Sequence, residues 1–265
     1  ARYSVSIANR MLNTSNHKQL ILKGVIGGNG FLGPVLYLTD SSNFMYHLSM
    51  VDEDGRDAFS AQFQKMRNYT DALHILYELN RTLFTNEPHT LYQNVTLYND
   101  YLSPLVTERY PSMQACFLLL NDSSVRHNLH VGLSVPFQYN NPYLLESLAF
   151  DYLNNISDIL SNVLNETNVL LYTGQLDPLF PSVNQREFLL KLQWNEADAF
   201  KNATRFPWKP TSDYYGFAAF LTKTRNFTNA VMLGMSHYGA VDKPDEVYYL
   251  MKEFVTNCSG AVNKT

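Results

Sequence analysis

The chain is 265 residues long, enough for one large domain or two small ones. Hydrophobic residues make up 45% of it, yet no apolar run approaches the roughly 18 residues of a membrane span, so a soluble globular chain is expected. Its formal net charge of -4 leaves no basic surplus of the kind that nucleic-acid binding requires.

Charged residues are only 17% of the chain. So low a fraction calls for another source of solubility, and Asn-x-Ser/Thr acceptors supply one. They occur at Asn13, Asn68, Asn80, Asn94, Asn121, Asn155, Asn165, Asn202, Asn226, Asn257 and Asn263. From 26 asparagines, chance gives about 3 or 4 such triplets. The excess predicts passage through the secretory pathway and several glycans, above all in the loop-rich stretch expected to contain Asn80 and Asn94, with a secreted or lysosomal/vacuolar destination. Two cysteines, Cys116 and Cys258, do not make a disulfide framework. Pairing with each other and pairing outside the chain both stay open. The first residues, ARYSVSIA, do not read as a signal peptide, so a processed N-terminus is expected.

In chain order, residues 1–12 read as a helix, with Val5, Ile7, Ala8, Met11 and Leu12 apolar. QLILKGVIGGNG, residues 19–30, reads as a buried strand entering a glycine-rich turn. Residues 56–83 carry a helical stripe of Phe59, Phe63, Met66, Ala72, Ile75, Leu76 and Leu79. Residues 86–111 are rich in Tyr, Asn, Thr and Pro without periodicity and read as irregular surface. A short helix is predicted over 123–130 and a longer one over 142–164, starting at Pro142. Residues 168–174 form a short apolar run, predicted to be a buried strand. Helix 181–194, strands 217–221 and 230–233, and a final helix 244–255 follow. Pro244 and Asp245-Glu246 suit the start of that last helix. Strands alternating with helices predict an α/β fold. The mostly helical stretch 45–142 interrupts the alternation, so the expected division is core 1–44, helical cap insertion 45–142, and core 143–265.

Two places carry candidate chemistry. Asp177 lies in Gly174-Gln175-Leu176-Asp177-Pro178, just past a predicted strand, where an open α/β sheet presents its functional edge. Capping the next helix is the plainer role for such an aspartate. His237 lies in GMSHYGAVDKP, residues 234–244, also after a strand. A structural loop histidine is the plainer role there. Together they have the order of acid and histidine in α/β-hydrolases, where both follow the nucleophile. Gly132-Leu133-Ser134-Val135-Pro136 lacks the helix that a nucleophile elbow needs, and Ser236 adjoins His237, so neither serine is favoured. Gly27-Gly28-Asn29-Gly30 lacks the Gly-Lys-Ser/Thr of a phosphate loop. With no Cys-x-x-Cys pair, neither a zinc knuckle nor a redox motif is supported.

Four segments make the reading specific. VLLYTGQLDPLFPSVNQREFLLKLQW, GMSHYGAVDKP, LKGVIGGNGFLGP and SSVRHNLHVG resemble, in order, patterns of the serine carboxypeptidases, an α/β-hydrolase family; the vitellogenic-like members are nearest. The resemblance spans nearly the whole chain. It implies a partial α/β-hydrolase fold lacking the N-terminal strands, with Asp177 and His237 as catalytic residues and Tyr238 lining the pocket for the substrate's C-terminal residue. Met235-Ser236 stands where the family has small residues, Ala240 where it has proline, and Gly33 where it has an acid. Met235 is expected to shift the His237 loop slightly. ARYSVSIA resembles the helix after the family's Gly-Glu-Ser-Tyr elbow, so the serine is expected in a preceding segment or chain that packs against residues 20–26 and 169–172. The resemblance implies a peptide substrate, allows a homodimer, and implies no metal, no organic cofactor, no nucleic acid and no membrane span. Two alternatives share the fold: an inactive secreted glycoprotein serving as a binding or structural module, and an acyltransferase.

Glycans should be measurable directly. The intact mass of protein from a secreting eukaryotic host should fall by several glycan equivalents on enzymatic deglycosylation, and an unchanged mass would remove the secretory argument.

Overall fold

The computed structural model describes residues 1–14, 21–84, 89–138 and 141–260. Asn263 and residues 19–20 of the first predicted strand lie outside them. Helix α1 (Arg2–Leu12) buries Val5 and Ala8, as its apolar spacing requires. Strand β1 is limited to Gly24–Gly28. It starts later than predicted, and Ile21 is exposed. Short helices α2 (Val35–Leu38) and α3 (Ser42–His47) follow.

The predicted helix over 56–83 is two helices, α4 (Glu53–Arg67) and α5 (Ala72–Leu83). Asp52 and Asp71 cap them, accepting from the N–H groups of Gly55 and His74. A second cap sits inside the run of apolar spacing and divides it. Residues 86–111, expected to be irregular, contain α6 (Leu91–Thr96), started by a Thr90/Gln93 capping box. Asn80 and Asn94 therefore lie on helices α5 and α6, not in a loop-rich stretch. Helices α7 (Pro111–Leu119) and α8 (Ser123–Asn128) come next; α8 stops short of residue 130. Helix 142–164 is three pieces: α9 (Pro142–Ser147), α10 (Ala149–Leu153) and α11 (Ser157–Glu166). The last break falls at Asn154-Asn155, where Asn155 Oδ1 accepts from Ser157 N–H at 3.1 Å, a side-chain bond that competes with the helix.

Strand β2 (Asn168–Gly174) leads to α12 (Ser182–Lys191) and α13 (Ala197–Asn202). Strands β3 (Phe206–Trp208), β4 (Ala219–Lys223) and β5 (Phe227–Met232) precede α14 (Pro244–Gly260). The sheet order among the described residues is β1-β2-β5-β4-β3. β1, β2 and β5 run parallel, while β4 and β3 are antiparallel additions. Pro207 confines β3 to the edge.

Alternate residues of the parallel strands serve opposite faces. Val25, Val169, Leu171 and Phe227 join the core that includes Val5 of α1 and Leu160 of α11. Leu170, Ala230 and Met232 join Val247 and Leu250 of α14. Both faces are covered, which explains why β2 reads as a continuous apolar run. With β2 between β1 and β5, both of its edges are taken. Cys116 is exposed, Cys258 is buried, and both are free.

The core assignment has a measurable consequence. Phe63 is fully buried, so Phe63→Ala should cost about 3–5 kcal/mol in chemical denaturation. The same change at exposed Leu118 should stay within about 0.5 kcal/mol.

Candidate active site

β2 and β5 are parallel neighbours, so the loops that leave their C-terminal ends emerge side by side. One loop carries Asp177 and the other His237. The two side chains meet, with His237 Nδ1 2.8 Å from Asp177 Oδ2. A carboxylate only accepts, so this contact makes Nδ1–H the donor and leaves Nε2 as the acceptor on the far edge of the ring. Asp177 is fully buried. Its second oxygen, Oδ1, accepts from the backbone N–H groups of Leu179 and Phe180, both at 2.9 Å. Asp177 does not cap the next helix, α12, which starts at Ser182 behind Pro181; its two backbone bonds close a turn within the loop and hold the carboxylate for the histidine. The His237 side chain keeps 21% exposure, open enough for Nε2 to meet a reactant.

Asn29 joins the two loops. Its Oδ1 accepts from Gly174 N–H at 2.9 Å, and its Nδ2 donates to the carbonyls of Ser236 and His237, each at 3.0 Å. To reach both, Asn29 adopts a left-handed φ of 41°, which asparagine tolerates better than most residues. Gly174 permits the same approach from below: a Cβ there would lie 2.3 Å from Met235 O and 2.6 Å from Ser236 O.

Met235, the residue expected to shift this loop, points into the core. Its side chain is fully buried in the core under α14, and its carbonyl accepts from Leu176 N–H at 2.9 Å. Ser236, also buried, donates from Oγ to Asp242 Oδ2, and its N–H reaches the same oxygen at 2.7 Å. That pairing turns Ser236 away from His237. The extra methylene groups of Met235 thus fill core volume, and the serine closes the loop on Asp242.

Tyr238 is half-buried beside the histidine, its ring 5.5 Å from that of Tyr110. Its hydroxyl donates to Asp100 Oδ2 at 2.8 Å. Burial, and then this carboxylate, push the phenol well above its ordinary range, so it remains a neutral donor. On the other side Phe180 lies 5.6 Å from the imidazole and stacks on Phe31. Behind that stack is a cavity of about 200 Å³ whose walls include Val35, Leu76, Leu79 and Phe84.

The sequence pointed to Asp177, His237 and Tyr238, and the structure brings these three together. It adds Asn29, Asp100, Phe180 and Asp242. Asn29 and Asp242 fall within the motifs already singled out, but no spacing marks Asp100. No cluster of metal-ligating side chains occurs among the described residues. The described helices include none long and apolar enough to cross a membrane.

A model of the serine carboxypeptidase family matches residues 2–257. The chain belongs to the serine carboxypeptidase family. It is 25% identical over 249 residues to a probable serine carboxypeptidase, CPVL, of Dictyostelium discoideum, covering 92% of this chain and 48% of that protein. It is 26% identical over 268 residues to a venom serine carboxypeptidase of Apis mellifera, covering 96% and 55%. The chain therefore spans about half the length of the curated relatives it matches. Among solved structures, a prohormone-processing carboxypeptidase from Saccharomyces cerevisiae superposes with a TM-score of 0.69 at 18% identity, covering 97% of this chain and 60% of that one. The fold is that of the α/β-hydrolases, with the two site loops at the C-terminal ends of its parallel strands.

Gly174→Ala should force the two site loops apart. A loss of about 1–3 kcal/mol is expected, readable as a lower denaturation midpoint, together with loss of the close Asp177–His237 contact in a crystal structure of the variant. An unchanged midpoint would show that the loops give way freely.

Proposed function

We propose that this chain supplies the acid–base half of a serine-type carboxypeptidase that releases C-terminal residues from peptides. The observation that carries the reading is the 2.8 Å contact between His237 Nδ1 and a fully buried Asp177 whose other oxygen is already occupied. The serine is taken to come from residues outside this chain; coverage of only about half the length of its relatives supports that reading.

In this mechanism the serine attacks the scissile carbonyl and passes its proton to His237 Nε2. The imidazolium is stabilised by Asp177 and returns the proton to the leaving amine. Water then repeats the sequence on the acyl-enzyme. Tyr238 would form one wall for the departing C-terminal residue. The apolar cavity behind Phe180 suits an apolar side chain on the acyl side of the cleaved bond. No step needs a metal or an organic cofactor. The chain is read as core 1–44, insertion 45–142 and core 143–265; all five described strands lie outside the insertion, which supports that division. A secreted or lysosomal glycoprotein is the matching reading of its history. None of the ten acceptor asparagines in the described residues is buried, and Asn13, Asn68, Asn94, Asn121, Asn155, Asn202 and Asn257 are exposed.

The test uses full-length protein and a blocked dipeptide. Wild type should release the C-terminal residue and be silenced by a serine-directed phosphonate. Asp177→Asn should lower kcat by about 10⁴-fold with folding intact. No release and no labelling would sink the enzyme reading in favour of a binding module. Ester formation with added alcohol, outrunning hydrolysis, would favour an acyltransferase.

A further inference from the structure

The residue least expected at this site is Asp100. It follows α6 in the stretch that reads as irregular surface, yet it is fully buried. A buried carboxylate is unfavourable unless donors satisfy it. Asp100 Oδ1 accepts from Leu102 N–H at 3.0 Å, close by in the chain, and Oδ2 accepts from the distant Tyr238 hydroxyl at 2.8 Å. Its own carbonyl accepts from the hydroxyl of Tyr92 at 2.8 Å, and Tyr92 is itself buried. The turn is therefore fixed to α6 on one side and to the histidine loop on the other. A second connection runs through the backbone. Two residues after Asp100, the Leu102 carbonyl accepts the N–H of His237 at 3.0 Å. Asp100 thus holds the residue that holds the histidine's main chain, and also holds the side chain next to it.

We propose that Asp100 is a positioning residue: its carboxylate orders the 100–102 turn so that Leu102 fixes the His237 backbone and Tyr238 is pinned beside the imidazole. Asp177 sets the ring from one end. The Asp100 turn sets the main chain from which the ring projects. Burial first, and then the Asp100 carboxylate, push the Tyr238 phenol up and keep it a neutral donor. Arg109, further along the chain, lies with its guanidinium 5.5 Å over the ring of Tyr101, the middle residue of that turn. The kinetic part of the test rests on the hydrolase reading; the spectroscopic part does not.

Full-length protein is prepared with histidine labelled at ring Cε1, as wild type, Asp100→Ala, Asp100→Asn and Tyr238→Phe, with His237→Ala to assign the His237 signal. At fixed pH, Asp100→Ala should move or broaden the His237 cross-peak, and Tyr238→Phe should do so to a smaller degree. Asp100→Asn keeps an oxygen for Leu102 N–H and should stay near wild type. Against a blocked dipeptide, Asp100→Ala should lose about 10–100-fold in kcat/KM, most of it in kcat, as expected for a misplaced general base. The double variant with Tyr238→Phe should be little worse than Asp100→Ala alone. A folded Asp100→Ala protein with an unmoved His237 signal would overturn the proposal. If Asp100→Ala does not fold, an unmoved signal in Tyr238→Phe overturns it instead. If wild type cleaves nothing, the hydrolase reading falls, and the His237 signal still decides the role of Asp100.

Discussion

Everything at the candidate site depends on Asn29. One side chain at the end of β1 binds the loop after β2 through Gly174 and the loop after β5 through Ser236 and His237. The parallel order β1-β2-β5 places those three strand ends in a row, so a residue at one end of the row can bridge the other two. The Asp177–His237 contact is a product of that bridge. A turn with the asparagine replaced by a longer or shorter side chain would leave two loops adjacent but not registered. Gly174 adds the complementary condition, because the loops meet only where no Cβ stands between them.

Around this bridge the histidine loop is held from three directions. Asn29 takes its carbonyls, Asp242 takes the amide and hydroxyl of Ser236, and Leu102 takes the amide of His237. Redundant restraint of this kind keeps an imidazole within the narrow geometry that proton transfer requires. At two of the positions that depart from the family pattern, the side chains have partners of their own. Met235 is absorbed by the core over α14, and Ser236 provides a bond of its own.

Much of this was legible in the sequence because it is local. The apolar runs gave β2 and its neighbours, and the position of Asp177 and His237 after strands marked the functional edge. What stayed hidden was of two kinds. Helix breaks at Asn68–Asp71 and at Asn154-Asn155 depend on single side-chain caps, which apolar periodicity passes over. The weak strand β3 contains Pro207, which reads as a turn. Asp100 was hidden for a different reason. Its partners are Tyr238, 138 residues away, and a backbone amide, and neither leaves a pattern in neighbouring positions. A buried acid in a tyrosine-rich stretch becomes visible only when the distant loop is laid against it.

The bonds of Asn29 span 145, 207 and 208 residues of chain. The entropic cost of closing such loops grows only slowly with length, but the search for them is slow. Helices α4 and α5, built on near neighbours, can form early. The bridge cannot exist until the two outlying portions of the chain have found one another. The Asn29 restraint on both loops is therefore complete only when β1 has joined β2 beside β5. A chain whose N-terminal portion is not yet docked has the loops after β2 and β5 without the residue that ties them together.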